Sequence, residues 1–227
     1  MGGDRAAGVA GLAAASLFFG GFGLLLTPPS PDSPADEVLG YLVDHRARIF
    51  AAACLLGLGF VMFVWFVAAL RTFLAARGEA TLSTAAAYGA LAGTILVVTG
   101  IAVLAGVVLH LNAERNATLA ALGFDIFNAL VTIAGFGFGV GIAAAAWSSA
   151  GSGALSTGYW VTGLLAAVLQ FATIPGLFAQ SGFFAAGGQM ALIAFAALGA
   201  WYIAVAIRFL RAESPAPSPA RKSGAEP

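Results

Sequence analysis

The sequence predicts an all-α fold, a polytopic transmembrane bundle of six helices with a short amphipathic helix at its outer surface. Of the 227 residues, 60% are hydrophobic and only 9% are charged, and the mean hydropathy is +0.95. Soluble domains carry about 25% charged residues, so this composition is typical of a membrane protein. Between Asp125 and Arg208 there is no Asp, Glu, Lys, Arg or His. A membrane-spanning helix needs about 20 apolar residues, so this uncharged run has room for three spans.

The same composition excludes several classes of protein. Ten Lys and Arg residues balance ten Asp and Glu residues, so the chain has no basic surface for nucleic acid. Its one cysteine, Cys54, excludes an internal disulfide and a paired-cysteine zinc site. The high hydrophobicity excludes disorder over most of the length.

Uncharged runs and the helix-breaking residues between them predict six spans. Residues 1–212 are predicted to form one transmembrane domain, and the Pro-, Ser- and Ala-rich residues 213–227 a disordered cytoplasmic tail. The first apolar run also fits a secretory signal, which would leave five spans, but its length favours an uncleaved helix. The six spans are predicted at about residues 7–26, 49–70, 84–109, 119–147, 158–174 and 188–207.

The distribution of basic residues predicts the orientation in a bacterial plasma membrane. Lys and Arg residues are enriched in cytoplasmic loops. A cytoplasmic N-terminus leaves only Arg46, Arg48 and Arg115 outside, and an even number of spans brings the C-terminus to the same side. This orientation places the other basic residues in the cytoplasm, namely Arg5, Arg71, Arg77, Arg208, Arg211, Arg221 and Lys222.

Residues 33–48 predict a short amphipathic helix on the outer surface. Ser33 followed by Pro34 resembles a helix start, with Ser33 as the cap and acidic residues in the first turn. Val38, Leu39 and Leu42 then fall on one face. We expect this helix to anchor at the interface or cover the bundle, and docking of a partner helix is the alternative.

The fourth span carries the candidate ligand-binding residues. Asp125, Asn128 and Thr132 recur at steps of three or four residues and share one helix face. Polar groups are costly in lipid, so this face is predicted to point into the bundle. With His110 and Gln170 it would form an outward-facing polar pocket. The alternative is that Asp125 reaches headgroup water and the other residues are interhelical hydrogen-bonding groups.

Glycine spacing in the third and fourth spans predicts close helix contact. Pairs four residues apart allow two helix backbones to approach each other. The run from Gly135 to Gly141 lacks the GxGxxG spacing of a nucleotide-binding loop, so helix packing is the favoured interpretation. The pairs are Gly89 with Gly93, Gly135 with Gly139, and Gly137 with Gly141.

Metal, haem and catalytic sites have weak signals. His110 and Glu114 have helical metal-ligand spacing, and His45 is a third weak candidate ligand. The sequence lacks HExxH and CxxCH, as well as the GxSxG motif of serine hydrolases. We therefore predict no metal, no cofactor and no catalytic residues; these signals leave enzyme activity open and favour a protein that is not an enzyme.

The segment SPADEVLGYLVDHRAR, followed by an Ala-, Leu- and Gly-rich span and Arg71, resembles a family of uncharacterised actinobacterial multi-span membrane proteins of unknown function. Such proteins have an N-terminal span, an outer segment of this kind and a block of five spans. The nine-to-one excess of Arg over Lys also fits a high-GC bacterium. The resemblance implies the six-span layout and assigns no activity.

Three functions are compatible with these features. The leading one is a non-enzymatic membrane component, either an accessory subunit or a helical bundle that binds a small ligand or lipid. The second is a small transporter or permease that uses the pocket around Asp125. The third is a membrane redox or metal protein. Predicted partners are the lipid bilayer and either another membrane protein or a second copy of the chain, and no nucleic acid.

Overall fold

A computed structural model describes residues 3–25, 28–111, 115–179 and 181–211, and all regular structure in these ranges is helical. Six helical units are long and apolar enough to cross a membrane, so the predicted all-α bundle of six spans is confirmed for this part of the chain. The predicted tail and Glu114 lie outside it. The helices are α1 (Gly3–Leu24), α2 (Ala35–Asp44), α3 (Arg46–Ala75), α4 (Ala80–His110), α5 (Ala117–Ser152), α6 (Thr157–Phe171), a 3-10 helix (Ile174–Leu177) and α7 (Gln189–Arg211).

The six long helices form a closed ring. Each packs mainly against two neighbours, in the order α1, α3, α4, α5, α6, α7 and back to α1. The short helix α2 lies at one end of this helix ring, against α5 and α3. We call this end of the helix ring the α2 end. Because the six spans alternate in direction, Gly3 and Arg211 both lie at the opposite end.

Helices α4 and α5 touch backbone to backbone through glycines. A Cβ atom built on Gly141 would lie 2.6 Å from Ala90 N, and one on Gly93 would lie 2.9 Å from Ala134 O. These distances are too short for any side chain, so only glycine fits at this contact. The predicted packing role of the glycine pairs is confirmed for these two helices.

Helix α2 is shorter than the predicted 33–48. It begins at Ala35 with Pro34 as its N-cap residue and without a side-chain cap, so the predicted Ser33 cap is wrong. The backbone N–H of Glu37 donates to Pro34 O, which makes that carbonyl the first acceptor of the helix. The chain bends at His45 before α3 begins. Val38 and Leu42 are buried, as the amphipathic pattern predicts.

Helix α5 extends five residues beyond the predicted end at 147. Ser149 Oγ donates to Ala145 O at 2.8 Å, and Ser152 Oγ donates to Ser148 O at 2.7 Å. Serine hydroxyls that bond to their own helix do not need a turn or water as partner, so the helix continues. It ends at Gly153, whose φ of +67° is left-handed.

Helix α6 is too short to cross a bilayer alone. Its 15 residues span about 22 Å at 1.5 Å per residue, against a hydrocarbon core of about 30 Å. Pro175 lies in the first turn of the 3-10 helix that follows. Proline has no N–H to continue an α-helix, so the rest of the crossing is made by the 3-10 helix and an irregular segment.

Candidate functional site: a cavity inside the helix ring

The helix ring encloses a cavity of about 840 Å³. This volume falls within the range of about 300–1,000 Å³ that is usual for small-molecule sites. All six spans contribute to its wall, and Tyr41 of α2 also lines it. The cavity therefore occupies the space that the six-helix packing leaves at its centre.

The cavity opens at the α2 end. Pro28 and Gly182 both line it and are exposed, so its mouth lies between the segment after α1 and the segment before α7. On α7 the lining extends from Ala191 to Tyr202, which corresponds to about 16 Å along the helix. A long, narrow molecule would fit this shape.

Aromatic side chains close the deep end of the cavity. Tyr202 packs edge-to-face against Phe63 and Phe66, with ring centroids 5.0 Å and 6.0 Å apart. All three residues line the cavity. Offset or perpendicular aromatic pairs of this kind are favourable and make a rigid apolar wall. This cluster could not be predicted from the sequence beyond its general hydrophobicity.

Most polar side chains in the cavity wall already have partners. Gln170 is buried, and its Nε2 donates to Ala194 O at 2.7 Å, which links α6 to α7. Three threonine hydroxyls donate to backbone carbonyls three or four residues earlier in the chain, so these hydroxyl protons already have acceptors. These bonds are Thr94 to Ala90 O, Thr132 to Asn128 O and Thr173 to Gln170 O, at 2.7–2.8 Å.

Asn128 differs from these residues. Its Nδ2 is buried and has no hydrogen-bond partner among the described residues, and the side chain lines the cavity. A buried donor left without a partner costs about 1–3 kcal/mol. Asn128 Nδ2 is therefore an unpaired donor that lies beneath the surface of the cavity wall.

Tyr41 lies near the mouth, and its Oη donates to Leu25 O at 3.4 Å. Burial of the phenol raises the pKa of Tyr41, and the nearby Arg48 partly opposes this shift. The side chain therefore joins α2 to the end of α1 as a neutral phenol. It helps to fix the position of α2 beside the opening.

The structure brings together three of the five predicted ligand-binding residues. Asn128, Thr132 and Gln170 all line the cavity. Asp125 and His110 are exposed and do not line it. Asp125 was expected to face the interior of the bundle, but in the structure it lies at the exposed surface. An exposed carboxylate avoids the high cost of placing a charge in an apolar cavity.

The weak metal candidates are not brought together in the described part of the chain. His45 stacks on Tyr41 with ring centroids 4.6 Å apart, and its Nδ1 lies 3.0 Å from Tyr41 O. His110 ends α4. The described residues contain no cluster of three or more His, Cys, Asp or Glu side chains that could hold a metal ion.

The segment between α6 and α7 was not predicted to contribute to a site. Its residues at 182 and 184–188 line the mouth of the cavity. Gly182 and Gly187 have φ values of +87° and +74°, which favour glycine. The Pro175-Gly176 break and the clustered glycines were the available signals for an unusual segment here.

The cavity is the feature from which function can be argued, since similarity to known proteins supplies none. No family model, no curated protein and no solved structure matches the chain.

Proposed function

We propose that the protein is a non-enzymatic membrane protein that binds a small apolar molecule or a lipid inside its helix ring. The observation that carries this proposal is the cavity of about 840 Å³ with a wall of aromatic, aliphatic and glycine residues. Of the two forms of the leading hypothesis, the cavity supports the ligand-binding bundle rather than the accessory subunit.

Apolar walls favour an apolar occupant. Water is retained in a cavity only where it finds two to four polar partners, and most polar groups in this wall are already hydrogen-bonded. An empty space of this size would forfeit the dispersion contacts of the side chains around it. A hydrocarbon chain restores those contacts.

Filling the cavity tests the proposal. Ala15 of α1 and Ala191 of α7 both line it, so Ala15→Phe and Ala191→Phe should occupy the space that a ligand needs. Leu165→Phe is the matched control, because Leu165 is 60% exposed on the outer surface of α6.

The measurement is native mass spectrometry of each variant released from nanodiscs of bacterial lipid. We expect the wild-type chain and Leu165→Phe to retain one bound molecule per chain, and both cavity variants to lose it. Equal retention by all four proteins would contradict the proposal.

The proposed location is the bacterial plasma membrane, with both termini in the cytoplasm. Two features support it: the excess of Arg and Lys at the end of the bundle that holds both termini, and the even number of spans. Reporter fusions after Arg77 and at the C-terminus should both give cytoplasmic readouts. An external readout from either fusion would overturn this orientation.

A small transporter is the second candidate, because the cavity opens at one end of the bundle. Transport requires that the cavity also open toward the other end. Ala15→Cys in a Cys54→Ala background distinguishes the two functions. A binding bundle predicts labelling by an impermeant maleimide from the α2 side alone, whereas a transporter predicts labelling from both sides of the membrane.

A further inference from the structure

We infer that the α2 end carries a second binding site, a small pocket beside Arg46 and Arg115 that binds a phosphate group. The inference goes beyond the proposed function, because neither arginine lines the large cavity. It combines three features of the small pocket, which are its two arginines, their lack of protein partners and its apolar floor.

The small pocket lies where α2 meets the beginning of α3 and the end of α4. Its volume is about 120 Å³, which is about four times the 30 Å³ or so that one water molecule occupies in the liquid. The pocket is therefore large enough for a phosphate group but too small for a whole lipid. Its lining residues are Leu42, Val43, Arg46, Val108, Leu111 and Arg115.

The two arginines reach the pocket from different parts of the chain. Arg46 is the first residue of α3, and Arg115 lies just before α5. No Asp or Glu is among the lining residues that the structure describes. Two positive charges beside one small space repel each other, and an anion between them replaces this repulsion by attraction. Arginine suits phosphate in particular, because its planar guanidinium can donate two parallel hydrogen bonds to phosphate oxygens.

The hydrogen-bond donors of both arginines remain available. Neither side chain has a hydrogen bond or an ion pair within the described ranges, and the one contact of Arg46 is with the Phe50 ring, 5.5 Å from its centroid. At the opposite end of the bundle, Arg77 donates to Phe73 O at 3.4 Å. The protein therefore supplies a partner for Arg77 but leaves Arg46 and Arg115 to an external group.

The floor of the pocket is apolar. Leu42, Val108 and Leu111 are all buried and line it. An apolar floor keeps water from one side of a bound anion, and charges attract each other more strongly where water is partly excluded. Because the pocket lies at the ends of membrane-spanning helices, the phosphate group can come from a phospholipid headgroup or from free phosphate in solution.

A matched pair of lipids tests the first source. Dioleoyl phosphatidic acid and dioleoylglycerol have the same acyl chains and differ by one phosphate group. Dissociation constants are measured by native mass spectrometry on the full chain in micelles of an uncharged detergent. We expect the wild-type chain to bind phosphatidic acid about tenfold more tightly, the ratio for one charge-assisted hydrogen bond. Higher salt should reduce this ratio, because it screens exposed charges.

Three variants locate the source of the preference. Arg46→Gln and Arg115→Gln should each lose most of the tenfold ratio. Arg48→Gln is the matched control, because Arg48 is also an exposed arginine at the beginning of α3 but does not line the pocket. It removes the same charge and should keep the ratio. Ala191→Phe, which fills the large cavity, should keep it as well.

Inorganic phosphate tests the second source, by isothermal titration calorimetry of the same proteins. A wild-type preference for phosphatidic acid that both pocket variants lose supports a lipid headgroup as the ligand. Equal affinity for the two lipids, with phosphate binding that both pocket variants lose, supports free phosphate. The inference is overturned if the wild-type chain shows neither effect, if the pocket variants retain the effect, or if Arg48→Gln loses as much as they do. Each of these results leaves the proposed function standing, because that function concerns the large cavity.

Discussion

Replacing Gly141 by alanine tests the closest packing in the helix ring. The new Cβ would lie 2.6 Å from Ala90 N and 3.0 Å from Ala86 O, both backbone atoms of α4. Ordinary contact begins at about 3.4 Å, so α4 and α5 must separate by about 0.8 Å (3.4 − 2.6) to accommodate one methyl group. No rotamer change can relieve the clash, because both neighbours are backbone.

Two opposing effects determine the magnitude. Overpacking of a close-packed interface costs about 1–3 kcal/mol, whereas alanine is favoured over glycine in a helix by about 0.5–1 kcal/mol. Overpacking is the larger effect, and we expect a net loss of about 1–2 kcal/mol. Such a loss lowers the folded-to-unfolded ratio by about 5- to 30-fold.

Gly106→Ala is the matched control for this change. Gly106 lies on the same helix pair, and no atom lies within 4 Å of a Cβ built there, so this variant should be as stable as the wild type or slightly more stable. Unfolding is followed by circular dichroism as the fraction of sodium dodecyl sulfate in mixed micelles rises. If Gly141→Ala unfolds at the same fraction as Gly106→Ala, the backbone contact between α4 and α5 does not exist in the membrane protein.

Three further changes test links between elements of the ring. Trp201→Phe removes the hydrogen bond from Trp201 Nε1 to Tyr159 O, 2.9 Å long, and should lower the free energy of unfolding in the same assay by about 0.6 kcal/mol, the average for interhelical bonds in membranes. Gln170→Leu removes the α6–α7 bond to Ala194 O and should cost a similar amount; no loss in either variant would contradict the assigned bond. Burial raises the pKa of Tyr41 above its ordinary value of 10.0, so the folded state favours the neutral phenol. The stability that Tyr41 contributes is therefore fully present below pH 10 and is lost as the pH rises through its folded pKa. Unfolding measured between pH 9 and pH 11 should show this loss in the wild type and a smaller one in Tyr41→Phe.

The six spans could be predicted from the sequence because a membrane span depends on one property, the length of an uncharged stretch of chain. A bilayer excludes charge along a fixed length of chain, and the uncharged runs report that length directly. The close backbone contact between α4 and α5 could be predicted for a similar reason. Glycines four residues apart, such as Gly137 and Gly141, mark a helix face on which a second backbone can lie closely.

The position of Asp125 shows where periodicity stops being informative. Asp125 and Thr132 are seven residues apart, which places them within about 20° of each other around an ideal helix. Thr132 nevertheless lies in the cavity wall, whereas Asp125 is exposed. Periodicity gives the relative directions of the side chains on one helix, but what lies beside that helix changes along its length. At the level of Asp125, the residues that line the cavity from α5 are Phe124 and Phe127.

The cavity itself could not be predicted, because it depends on how six helices close into a ring. Each helix pattern indicates an inward face but not the distance across the ring. Asn128 was predicted as a ligand-binding residue from its spacing on the fourth span. Its lack of a partner became visible only when the neighbouring side chains had positions, because Gln170 and Thr132 satisfy their own hydrogen bonds elsewhere.

The break after α6 and the mouth of the cavity are consequences of the same local sequence. The segment from Ala172 to Gly188 has no charged residue and exposes large aromatic side chains, with Phe178 at 85% and Phe183 at 45%. A loop in water would carry polar residues at such positions, and exposed aromatic side chains of this kind are typical of a surface that contacts a membrane or a protein partner.

Irregular backbone at membrane depth is tolerated where its polar groups are paired or line a cavity. Turn bonds pair several of them here, including Gly188 N–H to Ala185 O at 2.8 Å and Met190 N–H to Phe183 O at 3.0 Å. Residues of the same segment line the mouth of the cavity. A continuous α6 would remove both features, so the Pro175 break is what opens this ring of apolar helices at the α2 end.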